Sequence, residues 1–149
     1  MDKTIMEEMR KFNYLLSEID AAYHEAGQKL GLSDSAMQIL YVICNHGEEC
    51  LLSEICSLSG TSKQTINSAL RKLEAEGIVR LEALTGRRKK VCLTVRGKEL
   101  ANGTVLRLME IENAVFGSWA EQERELYLAL TQRYLTSFQE KIKELSGKT

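Results

Sequence analysis

Apolar residues recur along most of this chain at three- and four-residue intervals, and alternate at two-residue intervals in only one region, so the pattern predicts long helices interrupted by one small hairpin. From Thr4 to Leu30 the period is carried by Ile5, Met9, Phe12, Leu16, Ile19, Tyr23 and Ala26, and Thr4 with Glu7 has capping-box spacing. A helix of about 27 residues is about 40 Å long. That is more than a small domain covers, so part of the stripe is expected to meet a second subunit.

Ser33 or Ser35 is placed to cap a second helix running to about His46, with Met37, Leu40, Tyr41 and Cys44 inward and Gly47 as its stop. A polar turn follows, then a short helix near Ser53 to Leu58 closed by Ser59 and Gly60. Ser62 opens the best-delimited helix of the chain, SKQTINSALRKLEAEG, which Gly77 ends. Ile66, Ala69, Leu70 and Leu73 form its narrow apolar stripe, leaving Lys63, Gln64, Thr65, Asn67, Ser68 and Arg71 on other faces. An ordinary surface helix is richer in Glu and Lys, whereas Ser, Thr, Asn, Gln and Lys meet base edges and phosphates in a major groove. Two helices joined by a short turn that includes Gly fit a helix-turn-helix.

Beyond Gly77, Ile78, Val79 and Leu81 read as a strand, Thr85-Gly86 as a turn, and Lys90 to Leu93 as the returning strand, with Val91 and Leu93 alternating against Lys90 and Cys92. This is a wing, and its tip carries Arg87 and Arg88, placed for a narrow minor groove. Thr94 caps a helix from Val95 to about Phe116, with Leu100, Val105, Leu108, Ile111 and Val115 on its apolar side. Ser118 and Glu121 repeat the capping-box spacing before a last helix striped by Leu126, Leu130, Tyr134, Phe138, Ile142 and Leu145, and Ser146 to Thr149 read as a frayed end. The fold class expected is mainly α with a small β wing: a dimerisation helix over 1–32, a winged helix-turn-helix DNA-binding domain over 33–97, and dimerisation helices over 98–149.

Composition agrees with this picture. The 149 residues are 44% hydrophobic and contain no proline, enough to bury a core and little to interrupt helices. No run approaches the roughly 18 apolar residues of a membrane span. With no signal-peptide pattern at the N-terminus, the expectation is a cytoplasmic protein with no membrane partner. Net charge is −1, but between Thr61 and Leu100 ten Lys or Arg stand against four Glu. A basic stretch flanked by acidic arms concentrates attraction for phosphate in one region. The competing reading of Arg87 to Lys90 is a solvated charged face.

Cys44, His46, Cys50 and Cys56 lie close in sequence, but C-x-H-x3-C-x5-C lacks the paired CxxC elements of structural zinc sites, so no metal ligand and no cofactor is assigned. Cys44 reads as a core residue. Cys50 and Cys92, both expected to be exposed, are the candidate redox residues. His24 beside Tyr23 is a candidate lining residue of an effector pocket, against the blander reading of a surface or interface histidine, and Trp119 reads as a packed residue. No phosphate loop, HExxH or GxSxG occurs, so the chain is not read as an enzyme.

The order of elements, and above all LSEICSLSGTSKQTINSALRKLEAEGIV followed by VCLTVRG with Leu93, Thr94 and Gly97, resembles the MarR family of winged helix-turn-helix regulators over nearly the whole chain. The family's wing usually carries Asp-x-Arg, where this chain has Thr85 and Arg87, and it often has Arg where this chain has Ser68. The resemblance implies a homodimer, commonly a repressor, that binds an inverted-repeat operator in double-stranded DNA and is released by a small-molecule effector, a metal or thiol oxidation. The DNA-facing set drawn from residues and resemblance is Ser62, Lys63, Gln64, Thr65, Asn67, Ser68 and Arg71 on the helix, with Arg87, Arg88, Lys89 and Lys90 on the wing. The competing functions are a winged-helix adaptor acting through protein contacts and a metal-responsive regulator.

Overall fold

The computed structural model describes residues 1–57 and 61–145, so the expected helix end at Leu58 to Gly60 and the tail at Ser146 to Thr149 lie outside the described residues. The elements are α1 (Lys3–Lys29), α2 (Asp34–Asn45), β1 (Glu49–Leu51), α3 (Leu52–Cys56), α4 (Lys63–Ala75), β2 (Val79–Ala83), β3 (Lys89–Leu93), α5 (Val95–Gly103), α6 (Val105–Gly117) and α7 (Glu121–Ile142), with a 3-10 turn at Lys143–Leu145. The chain divides into two compact units, Met1–Leu108 and Met109 onward. This is the expected mainly helical fold with a small sheet.

Several helix ends differ from those the sequence predicts. Helix α1 begins one residue earlier, because Asp2 rather than Thr4 is its N-cap and accepts from the Thr4 and Ile5 N–H groups at 2.8 and 3.3 Å. Ser33, not Ser35, caps α2. Within α2 the innermost positions are Met37, Ile39, Leu40 and Ile43, while Tyr41 and Cys44 sit at the margin of the core. The expected single helix from Val95 is two: Thr104 leaves helical geometry (φ −129°, ψ −94°), and its hydroxyl donates back to the Leu100 carbonyl at 2.6 Å. A threonine that satisfies its own backbone locally in this way competes with helix continuation. Ser118 does not cap α7. Its hydroxyl donates to the Val115 carbonyl, and Ala120 stands at the N-cap, where its N–H donates to Glu123 Oε1 at 2.8 Å.

The polar turn expected after Gly47 contains a strand. β1 pairs antiparallel with β3, which also pairs antiparallel with β2, in the order β1-β3-β2. Cys50 stands opposite Val91, and Val91 opposite Leu81, on the face turned to the core. Ile39, Leu40, Ile43, Ile55, Ile66, Val79, Val91 and Val105 are fully buried there. Each such side chain contributes about 1.5–3 kcal/mol by leaving water, so α4 and the wing share one core with α2 and α3.

Helix α4 ends in a Schellman motif: the Ile78 N–H donates to the Leu73 carbonyl (2.9 Å), the Gly77 N–H to Glu74 (3.0 Å), and Gly77 takes φ 73°. Ile78 and Leu73, the apolar pair that accompanies this motif, are both buried. The chain therefore leaves the helix at a fixed angle into β2.

In the second unit, Phe116, Trp119 and Tyr127 pack ring against ring, with centroids 5.2 Å apart for both Trp119 contacts. Trp119 is packed, as its position predicts, but keeps 37% of its surface exposed. Along α7 no residue is buried, and Leu126, Leu130, Tyr134, Phe138 and Ile142 are all exposed. Helix α1 likewise exposes Ile5, Tyr14, Leu15, Leu16 and Ile19, and buries only Gly27. On α6, Ile111 and Val115 of the expected apolar side are 59% and 58% exposed.

Candidate nucleic-acid interface

Helix α4 is held by Ile66, Leu70 and Leu73 in the core, which turns Lys63, Gln64, Thr65, Asn67, Ser68 and Arg71 to solvent. Its start is tied down twice. Ser62 Oγ accepts from the Thr65 N–H at 3.2 Å and lies 2.8 Å from Thr65 Oγ1, while Thr61 Oγ1 donates to Gln38 Oε1 on α2 at 2.9 Å. The Ser62 and Thr65 hydroxyls thus face each other and serve the cap. Asn67, Ser68, Gln64 and the two cations remain as a polar face.

The wing loop closes with the Leu84 N–H donating to the Arg88 carbonyl at 2.9 Å, and Gly86 takes the left-handed conformation (φ 75°) that the tight turn requires. Arg87, Arg88 and Lys89 are exposed at its tip. Among the described residues no ion pair engages Lys63, Arg71, Arg87, Arg88 or Lys89.

Lys90 is different. Its ammonium lies 3.3 Å from Glu49 Oε1 and 3.8 Å from Glu82 Oε2, and Arg80 pairs with Glu82 at 3.0 Å. Hydrogen bonds from Lys90 and Cys92, with the Lys90 charge, hold the Glu49 carboxyl below the usual carboxylate range, and the Glu49 hydrogen bond raises the Lys90 ammonium in turn. Glu49, Glu82 and Arg80 are not among the site residues expected from the sequence. The signal was there in the alternation of Arg80 with Glu82 on one strand and Lys90 with Cys92 on the other, but it becomes a contact only once the register is known.

Neither candidate redox cysteine has the expected exposure. Cys50 is 6% exposed, because β1 turns it into the core opposite Val91. Burial, with the charge of Glu54, pushes its thiol up to about 11. Cys92 does lie on the sheet face away from Val91, as alternation predicts, but it is 2% exposed beneath the surrounding charged side chains. Its Sγ sits 3.5 Å from Glu49 Oε2, and burial followed by that hydrogen bond raises its pKa. Cys44 is raised by burial and the Glu48 charge. His46 turns to the Val42 carbonyl (2.9 Å) and Glu54 (3.5 Å). Among the described residues no group of three or more His, Cys, Asp or Glu is gathered as metal ligands would be.

His24 Nδ1 lies 2.9 Å from both carboxylate oxygens of Asp34, linking α1 to the first turn of α2. The pair borders a cleft of about 370 Å³ with Ser17, Asp20, Tyr23, Met37 and Gln38. This is the part of the molecule in which the sequence placed a candidate effector pocket. No helix among the described residues is long and apolar enough to cross a membrane.

Comparison with known proteins follows the same lines. The sequence model of the MarR family matches residues 30–89, which hold α2 to the first residue of β3. A MarR family regulator from Neisseria meningitidis is similar in structure with TM-score 0.77 at 18% identity, over 94% of this chain and 99% of that one. The MepR–DNA complex of S. aureus gives TM-score 0.69 at 21% identity, over 85% and 96%. The PcaV regulator of Streptomyces coelicolor, solved with its natural ligand, gives 0.60 at 15%, over 83% and 91%. No curated protein sequence matches the chain. Residues 30–89 thus match the sequence model of the MarR family, and the chain shares the fold of the solved MarR family regulators.

Proposed function

We propose that the chain is a sequence-specific regulator that binds double-stranded DNA as a homodimer, with α4 in the major groove and the wing in the adjacent minor groove. The observation that carries this reading is the pairing of an α4 face rich in small polar and amide side chains with three exposed wing cations that no carboxylate among the described residues neutralises. Gln64, Asn67 and Ser68 are the residues for base edges, Lys63 and Arg71 for phosphates, Arg87 for the minor groove, and Arg88 and Lys89 for its phosphate walls. The solved MepR–DNA complex, on the same fold, is consistent with this use of it.

Dimerisation is supported by the uncovered stripes on α1 and α7, which an isolated chain would leave in water. A twofold dimer sets its reading helices about 34 Å apart. A ligand that favours another separation by about 100-fold in affinity weakens operator binding appreciably, which is the basis of the proposed release and repressor role. The cleft at His24 and Asp34 is the candidate effector site, and PcaV binds its natural ligand on this fold. Ligand release fits the molecule better than thiol oxidation, since Cys50 and Cys92 are both buried with raised pKa values.

The test is the salt dependence of duplex binding. A DNA reader loses affinity linearly in log K against log salt, with a slope of about −0.9 for each phosphate neutralised. A flat dependence would support the adaptor reading instead.

A further inference from the structure

We infer that Glu49, Lys90, Glu82 and Arg80 form a brace that positions the wing against the helix-turn-helix, and that Lys90 acts in this brace and not on a DNA phosphate. The inference rests on the DNA-binding reading for its consequence, but its basis is the sheet. In the β1-β3-β2 register Glu49, Cys92 and Arg80 stand side by side, and Lys90 stands between Leu51 and Glu82. The four ionic side chains therefore share the sheet face away from the core, and the Lys90 ammonium bridges carboxylates on the two outer strands, at 3.3 Å to Glu49 and 3.8 Å to Glu82.

β1 is three residues long, and among the described residues it is the only strand that joins the helix-turn-helix to the wing hairpin, so its ladder alone is a weak tether. The Lys90 bridge spans all three strands at that point. Its side chain is 26% exposed, about half the exposure of its two partners, and the cluster roofs Cys92 so that the thiol is 2% exposed. Two positive and two negative groups cancel. To reach a phosphate Lys90 would have to leave both carboxylates, whereas Arg87, Arg88 and Lys89 would leave none. Exposed ion pairs contribute little stability one by one. What this cluster fixes is the angle at which the wing meets its target.

The test compares variants of the full chain on one duplex across a salt series, together with amide exchange of the free protein. Arg88→Ala should reduce the magnitude of the salt slope by about 0.9 per protomer. Lys90→Met, which keeps the stem over Cys92, should leave the slope at the wild-type value while lowering affinity roughly two- to fivefold per protomer. Glu49→Gln removes a negative charge and should nonetheless weaken binding to a similar extent, with the double variant no worse than either single one. A Lys90→Met slope that falls as Arg88→Ala does, or a Glu49→Gln protein that binds more tightly, overturns the inference. In the free protein, Lys90→Met should speed exchange of the Leu93 amide, which donates to the Glu48 carbonyl at 2.9 Å, by several-fold. Unchanged exchange overturns the brace even if the wild type binds no duplex, an outcome that would separately defeat the DNA-binding reading.

Discussion

A β-carbon placed on Gly97 would collide with the carbonyl oxygen of Ile78. The close approach is built by Thr94, whose hydroxyl donates to the Gly77 and Ile78 carbonyls at 2.5 and 3.1 Å while accepting the Gly97 N–H at 3.0 Å. One threonine thus caps α5 and fastens it to the end of α4, and the helix can come that near only without a side chain at its third position. Gly97→Ala is expected to lower stability by about 2–3 kcal/mol, because backbone must move on both sides of the contact. Gly103→Ala, with nothing within 4 Å of the added carbon, is the control and should change stability by less than about 1 kcal/mol. Denaturant midpoints of the two variants check the pair.

The cap of α4 makes a second case. Ser62→Ala removes the acceptor for the Thr65 N–H and the partner of the Thr65 hydroxyl. The loss should be about 1 kcal/mol in urea unfolding. An unchanged midpoint would mean that Ser62 is not the residue that holds the start of the reading helix.

Cys50 carries a pH prediction. Its thiol is pushed up to about 11, by burial first and the Glu54 charge second, against an ordinary value of 9.0. The native state therefore binds the proton more tightly than the unfolded state. Stability from this group is complete below the ordinary value and is lost as pH rises toward about 11. At pH 8, a pulse of iodoacetamide should label Cys50 roughly a hundredfold more slowly in the native protein than in the unfolded one. Labelling at the unfolded rate, read by mass spectrometry, would show the β1 placement of Cys50 to be wrong.

Leu130 tests the proposed homodimer. It lies 43% exposed on the α7 stripe, and burial of one leucine is worth about 1.5–3 kcal/mol. Leu130→Glu should shift the sedimenting species from two chains to one while leaving the thermal signature of the winged helix-turn-helix unit in place. A dimer that survives this substitution would place the contact on other residues.

Much of this architecture is legible from residues alone, and the parts that are not share a physical cause. Ser62, Gly77 and the Ile66–Leu70–Leu73 stripe are local signals, and α4 follows them closely. The hairpin around Gly86 does likewise. β1 escaped because Glu49–Leu51 is too short to show alternation and owes its conformation to β3, some forty residues later in the chain. Everything that depends on that register escaped with it: the burial of Cys50, the roof over Cys92, and the engagement of Lys90 by Glu49. The break at Thr104 was hidden for a different reason, since the apolar period continues through it from Leu100 to Leu108 while the backbone does not.

The measurement that bears most directly on the central claim is selection of bound sequences from random duplex DNA by the protein. The account predicts an inverted repeat whose half-site centres lie about 10 base pairs apart, with discrimination at the positions facing α4 relaxed by Asn67→Ala or Gln64→Ala at a cost of about 1–3 kcal/mol each. Enrichment of no common sequence, or of one that both variants bind as the wild type does, would contradict it.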